Sequence, residues 1–375
     1  MPFDGYLTTP KAAPALDVPL SSTSVQVRVI DTTSRLSAPA SMILEPAIPG
    51  HDTLHCPAYS FLIEHPSGRR LLYDLGTRRD WQMLSPMVQG LLKQHDLHIE
   101  VEKNVAEILE EGGVAVSNGA IEALIWSHWH YDHIGDPSTF PASTALIVGP
   151  GFKQAFLPGY PEGSSSVILQ SDYEGRELRE LIFEPSAARI GGLQYHDHFG
   201  DGSFYILNAP GHAIGHLCAL ARVSTGEHGQ QGQDSFIFMG GDTCHHGGEF
   251  RPTEYLPLPK TLDPSPMSGA RMSVCPGAWL QEIHHEKKSN EPFYRVKQGF
   301  SYHAEDCERT IAKMSEFDAA DNVLVIIAHD TSLLEEGFPM FPDFANDWLS
   351  NDFARKLRWC FVKDFQKAIE GTRNV

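Results

Sequence analysis

Three histidines and an aspartate lie within six residues of one another, as His128, His130, Asp132 and His133. Imidazole nitrogens and carboxylate oxygens are ligands that zinc and similar divalent cations prefer in proteins. An extended backbone sends alternate side chains to the same side, so we expect His128 and His130 to point one way. Asp132 and His133 follow in the turn and can reach a neighbouring position. The spacing therefore predicts two adjacent metal ions rather than one.

Two metal sites need further donors, and three downstream segments supply them. In each, a short apolar run typical of a buried strand ends shortly before a donor, as residues 121–126 do before His128. The three pairs are residues 204–207 with His212, residues 236–239 with Asp242, and residues 323–327 with His329. A single histidine at a strand end is usually an ordinary polar loop residue. Four such segments in one chain favour a shared site.

This series resembles the motifs of the metallo-β-lactamase fold superfamily: an HxHxDH string, a histidine in a Pro-Gly-His loop, an aspartate after a Gly-Asp turn and a final histidine. The resemblance implies an α/β fold, a four-layer αβ/βα sandwich with long insertions. It also implies two Zn²⁺ ions, although other divalent metals would fit the same donors. The implied ligands are His128, His130 and His212 for the first metal and Asp132, His133 and His329 for the second, with Asp242 bridging both.

An earlier element, Asp74-Leu75-Gly76, resembles the Asp-x-Gly element of the same superfamily. The resemblance implies that Asp74 supports a metal-bound histidine from behind, where a carboxylate fixes the orientation and tautomer of the imidazole. The simpler alternative is that Asp74 is a strand-end turn residue before Gly76.

The resemblance also implies a reaction. Two adjacent divalent cations lower the pKa of a bridging water, and the resulting hydroxide attacks a carbonyl carbon. His130 stands where the redox di-iron branch has glutamate, which favours hydrolysis. Asp242 and the short linker of residues 210–216 resemble the lactonase branch, because penicillin-opening enzymes have a cysteine as that ligand. His245 stands where bacterial acyl-homoserine lactonases have a tyrosine, which weakens the case for quorum-type lactones.

Length and proline- and aromatic-rich insertions most resemble fungal lactamases that open benzoxazolinone-type lactams. We therefore predict a di-zinc lactamase for bicyclic xenobiotic or plant-defence lactams, with the leaving group protonated from Asp132, Asp242 or His245. The alternatives are a lactonase of quorum-type lactones and a thioesterase that acts on acyl carriers. A non-catalytic binding protein of this fold would usually have lost metal ligands, whereas all seven positions are filled here.

Composition restricts the partners and the compartment. The chain has 375 residues with 29 basic and 48 acidic side chains, a formal charge of −19 that disfavours nucleic-acid partners and suits a neutral small molecule. Six cysteines without a CxxC pair, the lack of a secretory signal and the absence of a long apolar run predict a cytoplasmic protein without disulfides or a membrane span. Cys244 is expected to be a packing residue. We expect a monomer or a homodimer.

The organisation along the chain is expected to be an irregular N-terminal arm, residues 1–24, followed by a single metallo-hydrolase domain, residues 25–375. We predict an edge strand over residues 24–30, a hairpin of residues 58–65 and 70–75, a helix over residues 101–112 and a C-terminal helix within residues 344–370. Insertions at about residues 150–184 and 247–302 are expected to form pocket walls. The candidate pocket residues are Trp129, Tyr131, Tyr255, Leu258, Met267, Trp279, Phe293 and Tyr302.

Overall fold

A computed structural model describes residues 5–95, 97–226, 234–262, 265 and 274–373. The strands are β1 (Gln26–Pro39), β2 (Leu44–Glu45), β3 (Thr53–Glu64), β4 (Arg70–Tyr73), β5 (His98–Glu100), β6 (Ala123–Ile125), β7 (Ala145–Val148), β8 (Leu178–Glu180), β9 (Arg189–Ile190), β10 (Leu193–Asp197), β11 (Phe204–Asn208), β12 (Leu217–Ser224), β13 (Ser235–Met239), β14 (Thr261–Leu262), β15 (Cys275–Pro276), β16 (Arg295–Val296) and β17 (Val323–Ile326). The α-helices are α1 (Ala40–Ile43), α2 (Pro86–Gln94), α3 (Val105–Glu111), α4 (Tyr131–Ile134), α5 (Phe152–Phe156), α6 (Gln170–Tyr173), α7 (Gly277–Ile283), α8 (Ala304–Asp318), α9 (Ser332–Glu335), α10 (Phe353–Leu357) and α11 (Gln366–Arg373).

Two large sheets contain most of the strands. The first has the order β5-β1-β3-β4-β6-β7-β8 and the second the order β17-β13-β12-β11-β10-β9. Strands β4, β6 and β7 are parallel neighbours, and β13 is parallel to β17. Strand β11 runs in the same direction as β13, because both are antiparallel to β12. The carboxyl ends of these strands therefore lie at one edge of their sheet, where the predicted donors follow them.

Alternation along the strands divides the apolar core into an inner layer and two outer layers. In β4, Leu71 and Tyr73 belong to the inner cluster, whereas Leu72 belongs to the outer cluster that includes side chains of α2 and α3. The Tyr73 hydroxyl donates to the Leu217 carbonyl at 2.8 Å and so joins the two sheets. The outer face of the second sheet packs on α8, for instance through Phe238 and Phe317. The layers are helix, sheet, sheet and helix, which confirms the predicted αβ/βα sandwich.

The predicted hairpin is present as β3 and β4, and α3 ends at Gly112 as expected. The strand predicted over residues 24–30 is present from Gln26, and residues 26–31 pair with β3 alone among the described strands, but the strand is longer than predicted. Strand β1 is 14 residues long and lies between β3 and β5. An irregularity between Asp31 and Arg35 interrupts its register with β3, and the part after it also pairs with β5.

The prediction of one C-terminal helix was wrong, because α10 and α11 are separated by the 3₁₀ segment Cys360–Phe365. Cys360, Phe361 and Val362 are all buried. Three consecutive apolar residues cannot share one face of an α-helix, and the tighter winding buries them on several sides.

The two predicted insertions contain regular elements. Residues 150–184 include α5, α6 and β8, which is the last strand of the first sheet, and residues 247–302 include α7 and three two-residue strands. Residues 5–24 contain one isolated bridge, from Tyr6 to Pro259, and no helix or longer strand.

All six cysteines are buried and free, as predicted, and Cys244 packs in the cluster beneath the second sheet. No helix among residues 5–373, within the ranges that the structure describes, is both long and apolar enough to cross a bilayer.

Candidate metal centre

The HxHxDH string begins three residues after β6 and turns at once into a short helix. Ser127 and His128 continue from the strand, and His130 precedes the first residue of α4. The single turn of α4 carries Asp132 and His133, which are both buried. This local fold separates the string into two pairs of donors, as the alternation and the turn predict.

The first pair meets His212 from the loop after β11. His130 Nδ1 lies 3.1 Å from His212 Nε2, and the Nε2 atoms of His128 and His212 each lie 3.5 Å from Asp242 Oδ2. The donor atoms of His128, His130, His212 and Asp242 all lie within 4.8 Å of one another. Three imidazoles and a carboxylate form a suitable donor set for one zinc ion.

The second pair meets His329 from the loop after β17. The Nε2 atoms of His133 and His329 each lie 3.1 Å from Asp242 Oδ1, and His329 Nε2 lies 3.6 Å from Asp132 Oδ2. Asp242 therefore presents one oxygen to each histidine group. This is the placement expected of a carboxylate that bridges two metals.

The donors at this centre lack other partners. His128 Nε2, His133 Nε2 and Asp242 Oδ1 are buried without a hydrogen-bond partner among the described residues. A buried polar atom without a partner is costly, and two cations between these groups would satisfy all three atoms. The residues present therefore fit a pair of divalent metals.

Burial keeps the first group of imidazoles neutral. It lowers the pKa of His128 and His212 well below the ordinary value for histidine, and that of His130 to about 4. A neutral imidazole keeps a free lone pair on one nitrogen, which is the form that binds a metal.

Asp74 supports this centre from behind, as the Asp-x-Gly resemblance implies. Its Oδ2 accepts from His133 Nδ1 at 2.8 Å and from the Ser127 hydroxyl at 2.8 Å, and its Oδ1 accepts from the Ser127 amide at 2.6 Å. The backbone of Asp74 has φ of 57°, a left-handed conformation that aspartate tolerates better than most residues. With Nδ1 held by this contact, Nε2, which lies 3.1 Å from Asp242 Oδ1, is the nitrogen of His133 that a metal would use.

His216 holds Asp242 through the backbone, a role that the sequence analysis missed. Its Nδ1 donates to the Ala209 carbonyl at 3.0 Å, so its Nε2 is free to accept from the Asp242 amide at 3.0 Å. Burial lowers the pKa of His216 to about 4, which keeps that nitrogen an acceptor. The repeated histidine in the Pro-Gly-His-x-x-Gly-His element is the signal that could have revealed it.

The loop that carries His212 is fixed by close backbone packing. Gly211 has φ of 132°, and a Cβ there would lie 2.1 Å from the Cys307 nitrogen in α8. The amides of Tyr302 and His303 donate to the carbonyls of His212 and Gly211 at 2.9 and 2.8 Å. Only glycine allows α8 to approach this loop so closely.

His245 borders both histidine groups. Its Nε2 lies 3.2 Å from Asp242 Oδ2, and its ring lies 5.0 Å from that of His212 and 5.7 Å from that of His329. The buried carboxylate of Glu249 accepts from the amides of His245 and His246 at 2.6 and 3.1 Å and so fixes the backbone of this turn. His245 also lines the cavity at this centre.

A third group, His51, His246 and Asp364, also has three donor atoms close together. The Gly248 amide donates to His246 Nδ1 at 3.0 Å, so the proton of the neutral ring lies on Nε2, which is 3.2 Å from Asp364 Oδ2. That tautomer leaves no lone pair on Nε2 for a metal. The contact instead ties the C-terminal segment to the turn after Asp242.

A cavity of about 310 Å³ opens above the metal centre. It reaches His130, Asp132, Asp242, His245 and His329. The rest of its lining is formed by Leu36, Ser37, Ala38, Met42, Ile43, Cys56, Val88, Leu91, Leu92, His95, Leu97, Trp129, Tyr131 and Phe300.

The pocket residues chosen from the sequence fall into two sets. Trp129 and Tyr131 line the cavity. The lining, as far as the structure describes it, does not include Tyr255, Leu258, Trp279, Phe293 or Tyr302. Leu258 and Phe293 are buried in the core, the Tyr302 side chain is 69% exposed, and Trp279 packs against a core cluster. Met267 lies outside the described residues.

The walls come mostly from residues 36–97, where no pocket residue was predicted from the sequence. Most of the apolar residues in the described lining belong to β1, α1 and α2. Of the two insertions predicted to form pocket walls, 247–302 supplies only Phe300 to the described lining and 150–184 supplies no residue. The apolar spacing within residues 86–94 predicts a helix with one apolar face. It does not show whether that face lines a cavity or packs in the core.

Comparison with known proteins agrees with this geometry. The family model described as the metallo-beta-lactamase superfamily matches residues 54–222. The chain is 42% identical to gamma-lactamase FDB1 of Fusarium pseudograminearum over 94% of this chain and 85% of that protein. It is also 42% identical to metallo-hydrolase mfmC of Annulohypoxylon moriforme, over 98% of this chain and 94% of the relative.

Solved structures share the fold at much lower identity. A crystal structure of a quorum-quenching N-acyl homoserine lactone hydrolase matches with a TM-score of 0.55 and 15% identity. The match covers 87% of this chain and all of that chain. At this identity the likeness concerns the fold alone.

Proposed function

The chain belongs to the metallo-beta-lactamase superfamily and is a metal-dependent hydrolase, and we propose that it uses two zinc ions to open a small cyclic amide or ester. The first candidate substrates are bicyclic lactams of the benzoxazolinone type.

The placement of Asp242 carries the two-metal proposal. Its two carboxylate oxygens face separate histidine groups, which contain His128, His130 and His212 on one side and His133 and His329 on the other. A single-metal centre would leave one group without a cation and its buried nitrogens unpaired.

Two divalent cations held by these residues would supply a water of low pKa as the nucleophile and would polarise the carbonyl of the ring. The protein residues do the rest. Asp74 and His216 fix the orientation of His133 and Asp242, and the apolar lining excludes bulk water from the reacting groups. We propose that Asp132, Asp242 or His245, which all line the cavity, gives the leaving nitrogen or oxygen its proton.

Relatives and cavity together favour a lactam over the alternatives. The chain covers most of a relative named as a gamma-lactamase at 42% identity. Among the described lining residues none is lysine or arginine, so the cavity offers no fixed positive charge to the phosphate of an acyl carrier. A lactonase is the second candidate, because Asp242 and the short linker of residues 210–216 resemble the lactonase branch, although His245 stands where bacterial acyl-homoserine lactonases have a tyrosine.

Metal removal combined with a substrate panel tests the proposed function. We expect a chelator to abolish hydrolysis of benzoxazolin-2-one and dihydrocoumarin, and two equivalents of zinc to restore it. A penicillin and a short acyl thioester should be hydrolysed at least about 100-fold more slowly, a difference of about 2.7 kcal/mol in activation free energy. If the protein with two bound zinc ions turns over no cyclic amide, ester or thioester, the proposal fails.

We expect His245 to act as a proton donor at Nε2. His245→Ala should lower kcat on a lactam about 100-fold, because the departing nitrogen needs a proton. From an aryl lactone the phenolate leaves without being protonated, so the decrease in kcat should be much smaller. The aryl lactone therefore serves as the internal control. Zinc content should stay at two. Equal losses on both rings, or unchanged kcat and KM, would contradict the role.

The proposal carries further expectations. The protein should act in the cytoplasm on xenobiotic or plant-defence compounds, as a monomer or a homodimer and without nucleic-acid partners. The formal charge of −19 supports the last point.

A further inference from the structure

One wall of the cavity is a single face of α2. Val88, Leu91 and Leu92 line the cavity at the spacing of one helical face. The helix is held in place by Ser85, whose hydroxyl accepts from the Val88 amide, and by Pro86 in its first turn. Val88 and Leu92 are buried, whereas Leu91 is 41% exposed. Leu91 therefore belongs both to the cavity and to the outer surface.

The apolar surface continues outward from Leu91. Met87 lies one turn earlier on the same helix face and is 43% exposed. We call Leu91 and Met87 the α2 apolar path. Two neighbouring exposed apolar side chains, one of which lines a ligand cavity, indicate contact with an apolar group.

The charge of the cavity agrees with an apolar ligand. Apart from the metal centre, the polar members of its described lining are Ser37, Cys56, His95 and Tyr131, and no lysine or arginine is among them. A substrate with an anionic substituent would find no fixed counter-charge in this part of the site.

We propose that the preferred ring substrate carries an aliphatic chain that leaves the cavity along the α2 apolar path. This inference rests on the proposed function, because it places the ring at the metal centre. Leu91 and Met87 are then specificity-determining residues that select the length of the chain.

A homologous series tests the path. The probes are γ-lactones with ethyl, butyl, hexyl and octyl chains at the ring γ-carbon, together with their ring-opened 4-hydroxy acids. Calorimetry gives the Kd of each acid with the zinc-reconstituted full chain, and a hydrolysis assay gives kcat/KM of each lactone. Each methylene should tighten binding about two- to fourfold, the upper value corresponding to full burial.

The variants compare the path with an unrelated exposed apolar site. In the double variant Met87→Gln and Leu91→Asn, each added methylene should tighten binding by less than about 1.5-fold. A CH₂ group that lies on a polar surface gains little of the free energy that it would gain on transfer from water to an apolar site. Ile182→Asn, at a residue that is 78% exposed and outside the cavity lining, should keep the full gain.

The two measurements separate the inference from the proposed function. A Kd that does not change with chain length, or a gain that is the same in the double variant and the wild type, overturns the path. Failure to hydrolyse any ring with two zinc ions bound overturns the proposed function, while the Kd series still decides whether an aliphatic chain follows α2.

Discussion

Replacing Asp242 by asparagine is expected to lower kcat/KM at least about a thousandfold, or about 4 kcal/mol in transition-state free energy. The carboxylate lies between His128 and His212 on one side and His133 and His329 on the other. An amide of the same shape carries no charge and replaces one metal-facing oxygen with an NH₂ group that cannot bind a cation. Zinc content should fall below two per chain, measured by elemental analysis after equilibrium dialysis.

The control for this variant is Asp343→Asn, at an exposed aspartate outside the described cavity lining. It should bind two zinc ions and retain full activity. Circular dichroism should show that Asp242→Asn is folded, so that lost activity is not lost structure. Two bound zinc ions with wild-type turnover in Asp242→Asn would show that Asp242 does not bridge metals.

Removing the carboxylate of Asp318 is expected to cost about 3–5 kcal/mol in the free energy of unfolding. Asp318, at the end of α8, accepts two hydrogen bonds from Arg251, at 2.6 and 2.8 Å, and both side chains are buried. The same guanidinium donates to the Arg358 carbonyl at 2.8 Å. Asp318→Ala would leave the Arg251 charge buried without its partner. Urea unfolding followed by circular dichroism measures the change.

An exposed ion pair serves as the control for the expected decrease in the free energy of unfolding. Lys287 and Glu282 form an ion pair at 2.9 Å with side chains that are 67% and 58% exposed. Glu282→Ala should change the free energy of unfolding by less than about 1 kcal/mol, because water and salt screen such a pair. Equal effects of the two variants would mean that the Arg251 charge is solvated and not buried.

The strand-then-donor pattern was predictable because each part of it is local. A short apolar run followed by a histidine or aspartate specifies both a buried strand and a side chain at its end. The parallel pairing of β4 with β6 and of β13 with β17 then brings those ends together. The fold and the proximity of the seven donors therefore agree with the sequence analysis.

Errors arose where a side chain's surroundings depend on distant segments. Tyr255 and Tyr302 are aromatic residues in a proline-rich insertion, and nothing in their neighbourhood shows that they lie outside the cavity lining. In the sequence, Leu91 is an ordinary apolar residue of an amphipathic helix. Only the packing of α2 beside the metal centre shows that Leu91 lines the cavity. His216 differs from a loop histidine only through its contact with the Asp242 amide, 26 residues away.

By itself, the sequence determined which side chains can hold metals and in what order they follow their strands, and the resemblance of its motifs to a known superfamily implied the αβ/βα sandwich. Only the tertiary structure decided that each oxygen of Asp242 faces a different histidine group, and that β1, α1 and α2 form the cavity wall. Ligand type and strand periodicity are properties of neighbouring residues, whereas the shape of a cavity depends on which distant surfaces pack together. The HxHxDH string could therefore indicate the chemistry, whereas no local pattern reveals the role that we propose for Leu91 and Met87 in the choice of substrate.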